Sequence, residues 1–451
     1  MSHKLTDKLS DKIRIGMVSL GCPKNQCDAE LMLAKIARAG YKIVPEAGLA
    51  DVVIINTCGF IQSAKEEAIE EIMEAINRKN DGINKKIIVT GCLAQRYQEQ
   101  MDTEFPEIDG VLGIGRNDAI IETIERVLAG ERVIDFGSNS DLNMEGRRLQ
   151  STLPHYAYLR IADGCDNCCT FCAIPLIRGR FRSRRMEDIV KEAGDLVSGG
   201  VKELVVIAQD TTRYGEDIYG KLALPELLRK LAKLDVKWIR LMYCYPEEID
   251  DDLIEAMSTC EKVCRYIDMP IQHICDNVLK RMGRKTCSQD IKNKINKLRE
   301  RIPGIVIRTS LITGFPAETE EEHKELLGFI KEYGLEKVGV FTYSKEEGTP
   351  AAKLKPQVLK RIKERRKKEL MLEQQKVVFA QNKALKGKVM RAVVEGFLPE
   401  ENVYVARTYR DAPDIDGCVF VESGKELVLG TMIDVRIKKA SGYDLIAAIS
   451  R

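Results

Sequence analysis

Short apolar runs alternate with helical stretches along most of this chain, and this alternation restricts its fold more than any other feature. The first domain contains three such runs, Ile13–Leu20, Asp51–Asn56 and Lys85–Thr90. Helical spacing separates them, for example over Ser63–Arg78. Strands that alternate with helices form parallel sheets covered by helices. The pattern therefore predicts an open α/β sheet.

A cysteine follows each of these three runs, and each of these cysteines has a glycine beside it. They are Cys22, Cys58 and Cys92. Parallel strands have their carboxyl ends at one edge, where open α/β sheets bind ligands. Three thiols distant in sequence should therefore meet at one rim, which predicts a metal cluster with an open coordination position. The alternative is three unrelated core cysteines, since free cysteine is often fully buried.

A second trio, Cys165, Cys169 and Cys172, has the spacing C-x3-C-x2-C. Thiolates are the usual ligands of iron–sulfur clusters, and a four-iron cluster takes one per iron. Three thiolates from one loop leave one iron open to a substrate or cofactor. Two zinc-binding pairs, or buried structural cysteines, are the alternatives. Zinc ribbons, however, separate their pairs by a long loop, and here no residue intervenes. Cys168 is a spare thiol without an assigned role.

Residues 151–382 contain six strand-like runs separated by helical stretches. Six β/α repeats predict a partial, open version of the TIM-type barrel, in which chemistry takes place at the carboxyl ends of the strands. The C-x3-C-x2-C loop follows the first strand. The runs are Tyr156–Ala162, Glu203–Ala208, Trp238–Tyr243, Tyr266–Ile271, Gly304–Ile312 and Lys337–Tyr343.

The two ends of this central domain are marked by changes in composition. Gly137–Thr152 is polar and predicts a linker after a first domain of residues 12–136. Residues 383–451 are rich in short strands and predict a small five-stranded β-barrel. Three domains are also what the length of 451 residues suggests.

Charge and cysteine content narrow the class of protein. Lysine and arginine number 71 and aspartate and glutamate 69, so no global basic field attracts nucleic acid. Residues 1–8 are polar and lack the apolar core of a signal peptide, and no apolar run is long enough to span a bilayer. Fourteen cysteines without an export signal indicate reduced thiols or metal ligands. We therefore expect a cytoplasmic protein with no membrane partner.

The C-x3-C-x2-C spacing, with Phe171 before its last cysteine, resembles the radical S-adenosylmethionine (SAM) superfamily. The resemblance implies that the open iron binds SAM and reduces it to a carbon radical, which removes hydrogen from unactivated carbon. The other cluster can carry or donate sulfur. Together they predict insertion of sulfur at a C–H bond.

Several motifs resemble the methylthiotransferase family of radical SAM enzymes, and the resemblance covers nearly the whole chain. Each auxiliary cysteine lies in a family-like signature: Ser19–Asn25 reads Ser-Leu-Gly-Cys-Pro-Lys-Asn, Ile55–Cys58 reads Ile-Asn-Thr-Cys, and Thr90–Arg96 reads Thr-Gly-Cys-Leu-Ala-Gln-Arg. The central domain carries Gly314–Thr319, with Ala317 where the family more often has glycine. The resemblance implies an α/β protein with an N-terminal open parallel sheet, a radical SAM barrel and a C-terminal TRAM barrel.

The resemblance also implies two [4Fe–4S] clusters and two uses of SAM. Cys165, Cys169 and Cys172 would hold the radical cluster, and Cys22, Cys58 and Cys92 the auxiliary one. One SAM gives its methyl group to sulfur on the auxiliary cluster, and another is cleaved to give the radical. No catalytic residue beyond the cluster ligands is implied. The residues expected near SAM are Gly314, Gln209 and Arg308.

Two branches of this family differ in their substrate. One modifies N6-isopentenyladenosine in transfer RNA, and the other modifies the β-carbon of an aspartate in ribosomal protein S-twelve of the small subunit. Ala208–Gly215, Pro270–His273, Tyr343–Pro350 and above all Tyr409–Gly417 resemble the second branch. A reductant such as flavodoxin or ferredoxin is also expected, whereas the sulfur donor cannot be assigned.

Charge in the last domain supports the ribosomal-protein branch. Phe397–Asp434 contains eight acidic and three basic residues. Such a surface would repel transfer RNA and attract a basic ribosomal protein; a solvated face without a partner is the alternative. A non-catalytic iron–sulfur sensor or electron carrier is an alternative function of another class.

Five arginines follow the cluster loop and could bind the SAM carboxylate or an acidic substrate group, or be merely solvated: Arg178, Arg180, Arg182, Arg184 and Arg185.

Overall fold

The computed structural model describes residues 13–450, so the polar segment that argues against a signal peptide lies outside the described residues. The N-terminal domain is a six-stranded parallel sheet in the order β2-β1-β3-β4-β5-β6. Helices cover both faces, which is why strands such as β3 are buried along their whole length. Its elements are β1 Arg14–Ser19, α1 Pro23–Arg38, β2 Lys42–Val44, β3 Val52–Thr57, α2 Gln62–Asn80, β4 Lys86–Gly91, α3 Cys92–Arg96, α4 Gln98–Glu104, β5 Gly110–Leu112, α5 Ile120–Leu128 and β6 Val133–Asp135.

The central domain is an open parallel sheet of six strands in the order β14-β13-β12-β11-β10-β7, with a short antiparallel pair β8-β9. Its strands are β7 Tyr156–Arg160, β8 Ala162–Asp163, β9 Arg182–Ser183, β10 Glu203–Ile207, β11 Trp238–Leu241, β12 Val263–Asp268, β13 Val306–Thr313 and β14 Lys337–Thr342. Its helices are α6 Ile174–Arg178, α7 Met186–Ser198, α8 Glu216–Tyr219, α9 Leu224–Leu231, α10 Asp251–Thr259, α11 Asp276–Arg281, α12 Ser288–Arg301, α13 Glu320–Tyr333 and α14 Lys360–Ala384.

Alternation along the central strands separates two apolar layers. Leu159, Leu204 and Ile239 pack into the layer that includes the covering helices. Residues one position away, such as Tyr158 and Val205, pack into a second layer on the other face. Successive side chains on a strand point to opposite faces, so the second layer is the inner face of the curved sheet.

The C-terminal domain is a closed five-stranded barrel in the order β15-β16-β17-β19-β18. Its strands are β15 Val389–Leu398, β16 Val403–Thr408, β17 Val419–Glu422, β18 Met432–Ser441 and β19 Asp444–Ile449. The predicted fold class is therefore confirmed for all three domains.

Among the described helices, none combines the length and the apolar character needed to cross a membrane.

The C-terminal barrel docks against the amino-terminal ends of the central strands. Glu203, at the start of β10, pairs with Arg240 at 2.7 Å and with Arg407 of β16 at 2.7 Å. All three side chains are at most 2% exposed. The hydroxyl of Tyr156, at the start of β7, donates to Asp414 at 2.7 Å. The segment 407–416 thus covers the inner face of the central sheet at the amino-terminal ends of its strands.

Candidate functional site

The structure brings Cys22, Cys58 and Cys92 together at the carboxyl edge of the N-terminal sheet. Cys22 directly precedes α1, Cys58 follows β3, and Cys92 begins α3 after β4. Burial raises the pKa of Cys58 to about 12, and the nearby sulfurs of Cys92 and Cys22 add to the rise. Glycine is needed beside them, because a Cβ on Gly21 would lie 2.8 Å from Cys58 Sγ. The parallel topology predicts this convergence, since the three thiols follow adjacent strands.

The second trio lies in the loop between β8 and α6. Burial raises the pKa of Cys165 to about 11, with Cys169 as a further contributing neighbour. Burial also raises the pKa of Cys172, and Cys169 and Cys165 add to it. The spare Cys168 is exposed and has a left-handed φ of 53°. The three thiols of the spacing therefore form one buried group that excludes Cys168.

Contacts from later parts of the central domain hold this loop in place. Asn167 Nδ2 donates to Asp210 Oδ2 at 2.7 Å. The backbone N–H of Thr170 donates to the carbonyl of Met282 at 2.9 Å. Arg284 Nη1 lies 3.8 Å from Cys169 Sγ and its guanidinium stacks over Tyr245. The loop is thus fixed to the segment after β10 and to the residues that follow α11.

The donor chemistry of both trios fits an iron–sulfur cluster. Burial raises the pKa of Cys58, Cys92, Cys165 and Cys172. Such thiols hold their protons unless a cationic centre stabilises the thiolates. Within residues 13–450, no three His, Cys, Asp or Glu side chains are close enough to hold a single metal ion. A cluster of several irons and sulfides occupies more space between its ligands than one ion does.

The first trio lies at the junction of the first two domains, against the segment that follows the second trio. Cys92 packs in a small buried group with Ala173 and Ile177, which follow Cys172 in the chain. Arg178 Nη2 donates to Cys92 Sγ at 3.4 Å. Side chains of the central domain therefore contact a ligand candidate of the N-terminal domain directly.

A buried network of four charged side chains crosses the same junction. Arg178 Nη1 lies 2.8 Å from Asp28 of α1 and 2.9 Å from Asp163 of β8. Arg160 also pairs with Asp28 and lies 3.4 Å from Asp163. None of the four side chains is more than 2% exposed. Two acids and two bases balance each other, as buried charges must.

Comparison with known proteins supports the resemblance to radical SAM methylthiotransferases. The chain matches three family models: Uncharacterized protein family UPF0004 over residues 14–113, the Radical SAM superfamily over 159–330 and the TRAM domain over 387–449. A protein of Lachnoclostridium phytofermentans named ribosomal protein uS12 methylthiotransferase RimO is 49% identical over 96% of this chain and 99% of its own. A protein of the same name from Clostridium botulinum (strain Eklund 17B / Type B) is 50% identical over 97% and 98%.

The chain belongs to the RimO family. Among solved structures, the radical S-adenosylmethionine methyltransferase TsrM of Kitasatospora setae, with cobalamin and a [4Fe-4S] cluster bound, aligns with a TM-score of 0.57. It is 15% identical, and the alignment covers 75% of this chain and 76% of that one. At this identity the likeness concerns the fold alone. RimO membership confirms the resemblance found in the sequence motifs.

The residues expected near SAM occupy different places in this RimO-family chain. Gln209 follows β10 and donates from Nε2 to Asp163 Oδ1 at 2.6 Å, while its buried Oε1 has no partner among the described residues. Gly314 follows β13 and has a φ of 72°. Both lie at carboxyl ends of strands, and the orphaned Gln209 oxygen fits an incoming polar ligand. Arg308 is earlier in β13 and donates to Asp268 at 2.6 Å. The role of these three residues toward SAM stays a prediction.

The arginines after the cluster loop have separate structural roles. Arg184 is buried and pairs with Glu145 and Glu192, each at 2.6 Å. Arg182 donates to backbone carbonyls, and Arg180 is 88% exposed. No sequence pattern indicates the Arg178 network, because Asp28 belongs to another domain and Asp163 lies on the other side of the cluster loop.

Part of the acidic stretch of the last domain is engaged within the protein. Asp411 pairs with Lys337 at 2.6 Å. Asp414 accepts from Tyr156, and Asp416 accepts from the hydroxyl of Tyr266 at 2.7 Å. The prediction that this stretch forms a negative docking surface is therefore wrong for Asp411 and Asp416, whose side chains are 8% and 6% exposed, whereas Asp414 stays exposed. The motif Tyr409–Gly417 holds two domains together instead.

Proposed function

We propose that this chain adds a methylthio group to the β-carbon of an aspartate in ribosomal protein uS12, using SAM both as methyl donor and as radical source. The observation that carries the proposal is the pair of cysteine trios at one domain junction, where Cys92 of the first trio contacts the helix that follows the second. The family membership supports it, because the RimO relatives are named as uS12 methylthiotransferases and match almost the whole chain.

We assign one [4Fe–4S] cluster to each trio. Cys165, Cys169 and Cys172 would hold the radical cluster, and the three strand-end cysteines of the N-terminal domain the auxiliary one. When bound, the clusters and SAM supply the one-electron chemistry that activates a C–H bond and a position for the transferred sulfur.

The side chains of the protein bind and orient the reacting groups and exclude water from them. Ala173 and Ile177 cover Cys92 with apolar surface. Arg178 donates to the same thiol and places a positive charge beside the first trio. Asp163 orients Gln209, whose free oxygen is available to a ligand at the carboxyl edge. These contacts form a closed, preorganised space for a radical reaction.

The substrate and partners follow from the proposed reaction. A ribosomal protein as substrate places the reaction in the cytoplasm, and the clusters need an electron donor of the flavodoxin or ferredoxin class. The transfer-RNA methylthiotransferase is the second candidate, since its branch shares the fold and clusters. Six acidic side chains of the last domain remain exposed: Glu400, Glu401, Asp414, Glu422, Glu426 and Asp434. The charge of this domain therefore still favours a basic protein over transfer RNA, and the assignment depends first on the family membership.

Mass spectrometry after anaerobic turnover tests the proposed function. The cluster-loaded protein receives SAM, sulfide and reductant, with uS12 and transfer RNA as competing substrates. We expect a methylthio increment on one aspartate of uS12 and unmodified RNA. An increment on adenosine would identify the other branch, and no 5′-deoxyadenosine at all would indicate a non-catalytic iron–sulfur protein.

Iron content tests the assignment of the ligands. Cys58→Ser and Cys169→Ser should each lose about half of the iron, because each removes one ligand from one of two four-iron clusters. Cys264→Ser is the matched control, since Cys264 is equally buried but packs in the inner layer of the central sheet. Full iron content in either trio variant would contradict the assignment.

A further inference from the structure

Lys24 is a buried lysine without a carboxylate partner. Lys24 is 6% exposed. Its ammonium Nζ lies 3.4 Å from the centroid of the Tyr243 ring. In the described part of the chain no carboxylate oxygen is within 4.0 Å of this nitrogen. By contrast, the similarly buried Lys65 pairs with Glu346 at 3.2 Å.

Lys24 lies beside the first cysteine trio and contacts the central domain. It is in the first turn of α1, two residues after Cys22. Tyr243 follows β11 at the carboxyl end of the central sheet. The ammonium therefore lies where the carboxyl edges of both sheets meet.

The backbone of Tyr243 is held in an unusual conformation for this contact. Its φ of 61° is in the left-handed region, which bulky residues rarely adopt. Its N–H donates to Asp268 Oδ2 at 3.0 Å, which fixes the strained turn. Such strain persists where the surroundings enforce it, and it is frequent at ligand-binding sites.

A buried ammonium needs more than one aromatic ring to offset the loss of water. Cation–π contact and the neighbouring sulfur of Cys22 supply part of the compensation, but buried charges are normally paired with an opposite charge in direct contact. In the proposed reaction the substrate brings such a charge, since the target aspartate carries a carboxylate. The β-carbon to be modified is bonded directly to that carboxyl carbon.

We propose that Lys24, seated on the ring of Tyr243, binds the side-chain carboxylate of the target aspartate. This inference rests on the proposed function and extends it. Holding the carboxylate fixes the β-carbon beside the first trio at the domain junction, where both sulfur and radical must reach it. It also gives a physical basis for substrate choice, because an adenine base has no anionic group to place there.

Equilibrium binding of two peptides tests the proposal. The peptides span the target segment of uS12 and differ only in having aspartate or asparagine at the target position. The cluster-loaded enzyme with SAM, kept anaerobic, is compared with Lys24→Met by fluorescence anisotropy. We expect Lys24→Met to weaken binding of the aspartate peptide by about tenfold and of the asparagine peptide less than about twofold.

Two further variants separate charge recognition from structural effects. Lys24→Arg keeps the cation and should keep the preference for aspartate. Lys65→Met removes an equally buried lysine of the same domain and should not change the ratio of the two affinities. Iron content and the electron paramagnetic resonance spectrum of Lys24→Met should match those of the unmodified protein.

The outcomes distinguish the inference from the proposed function. If the unmodified enzyme binds and modifies uS12 but Lys24→Met weakens both peptides equally, the inference is overturned and the proposed function stands. An unmodified enzyme that binds both peptides equally well also overturns it. If the enzyme neither binds nor modifies uS12, the proposed function fails and the inference fails with it.

Discussion

Replacing Arg178 should weaken the junction between the N-terminal and central domains. The side chain is 1% exposed and pairs with Asp28 at 2.8 Å and Asp163 at 2.9 Å. In Arg178→Met, the two carboxylates share only Arg160, so one buried negative charge has no partner. Breaking a buried pair in this way costs about 3–5 kcal/mol. Because domains of this size shift by roughly 2–4 °C per kcal/mol, the melting temperature should fall by about 6–20 °C.

Thermal unfolding of the cluster-loaded protein, followed by circular dichroism under anaerobic conditions, measures this effect. Arg180→Met is the matched control, because Arg180 is two residues away and 88% exposed, 3.4 Å from Asp166. Its stability should change by no more than about 0.5 kcal/mol. The double variant Arg178→Met/Asp28→Asn restores the balance of charge and should melt above the single Arg178 variant.

Two results would refute this reasoning. If Arg178→Met melts together with the Arg180 control, the network does not stabilise the junction. If Asp28→Asn lowers the melting temperature of Arg178→Met further by its full separate effect, the two side chains are not coupled through charge, since coupled neighbours are non-additive.

Two other predictions concern acid stability and the C-terminal barrel. Burial lowers the pKa of His273 to about 3. The unfolded chain takes up a proton on this histidine at about pH 6.5, whereas the native chain does not. The free energy of unfolding should therefore fall by about 2 kcal/mol between neutral pH and about pH 5. Urea midpoints should show a flatter pH dependence in His273→Asn, and an unchanged slope would contradict this. Glu203→Gln should speed proteolytic release of residues 387–451, because Arg240 and Arg407 lose their common anion; Glu422→Gln, in an exposed pair with Lys438, should not.

Periodicity was sufficient for the long strands and insufficient for the short ones. All six long strands of the central sheet were predicted from apolar runs. The strands β2, β5 and β6 are three residues each, too short for any pattern to be read. The strand predicted over Tyr266–Ile271 starts earlier and ends at Asp268. Its last residue, Asp268, accepts from the backbone N–H of Tyr243 and from Arg308 through its carboxylate.

The sequence was likewise sufficient to predict one part of the candidate site, the cysteines, and insufficient for another, the charged network. Convergence of Cys22, Cys58 and Cys92 follows from topology, because parallel strands share a carboxyl edge. The partners of Arg178 could not be found from the sequence, since isolated charged residues normally indicate a solvated surface. The same rule fails for Asp416, which accepts from the hydroxyl of Tyr266 in the central domain.

The docking of segment 407–416 on the central strands has a consequence for synthesis of the chain. The central sheet emerges from the ribosome long before Arg407, so Glu203 and Arg240 must first exist without their third partner. The hydroxyls of Tyr156 and Tyr266 likewise lack their acceptors until Asp414 and Asp416 have been made. Domains generally fold as units in order of synthesis, and incompletely packed intermediates are prone to aggregate. The central domain is therefore the part of the nascent chain most in need of chaperone protection, and its final packing waits for the C-terminal barrel.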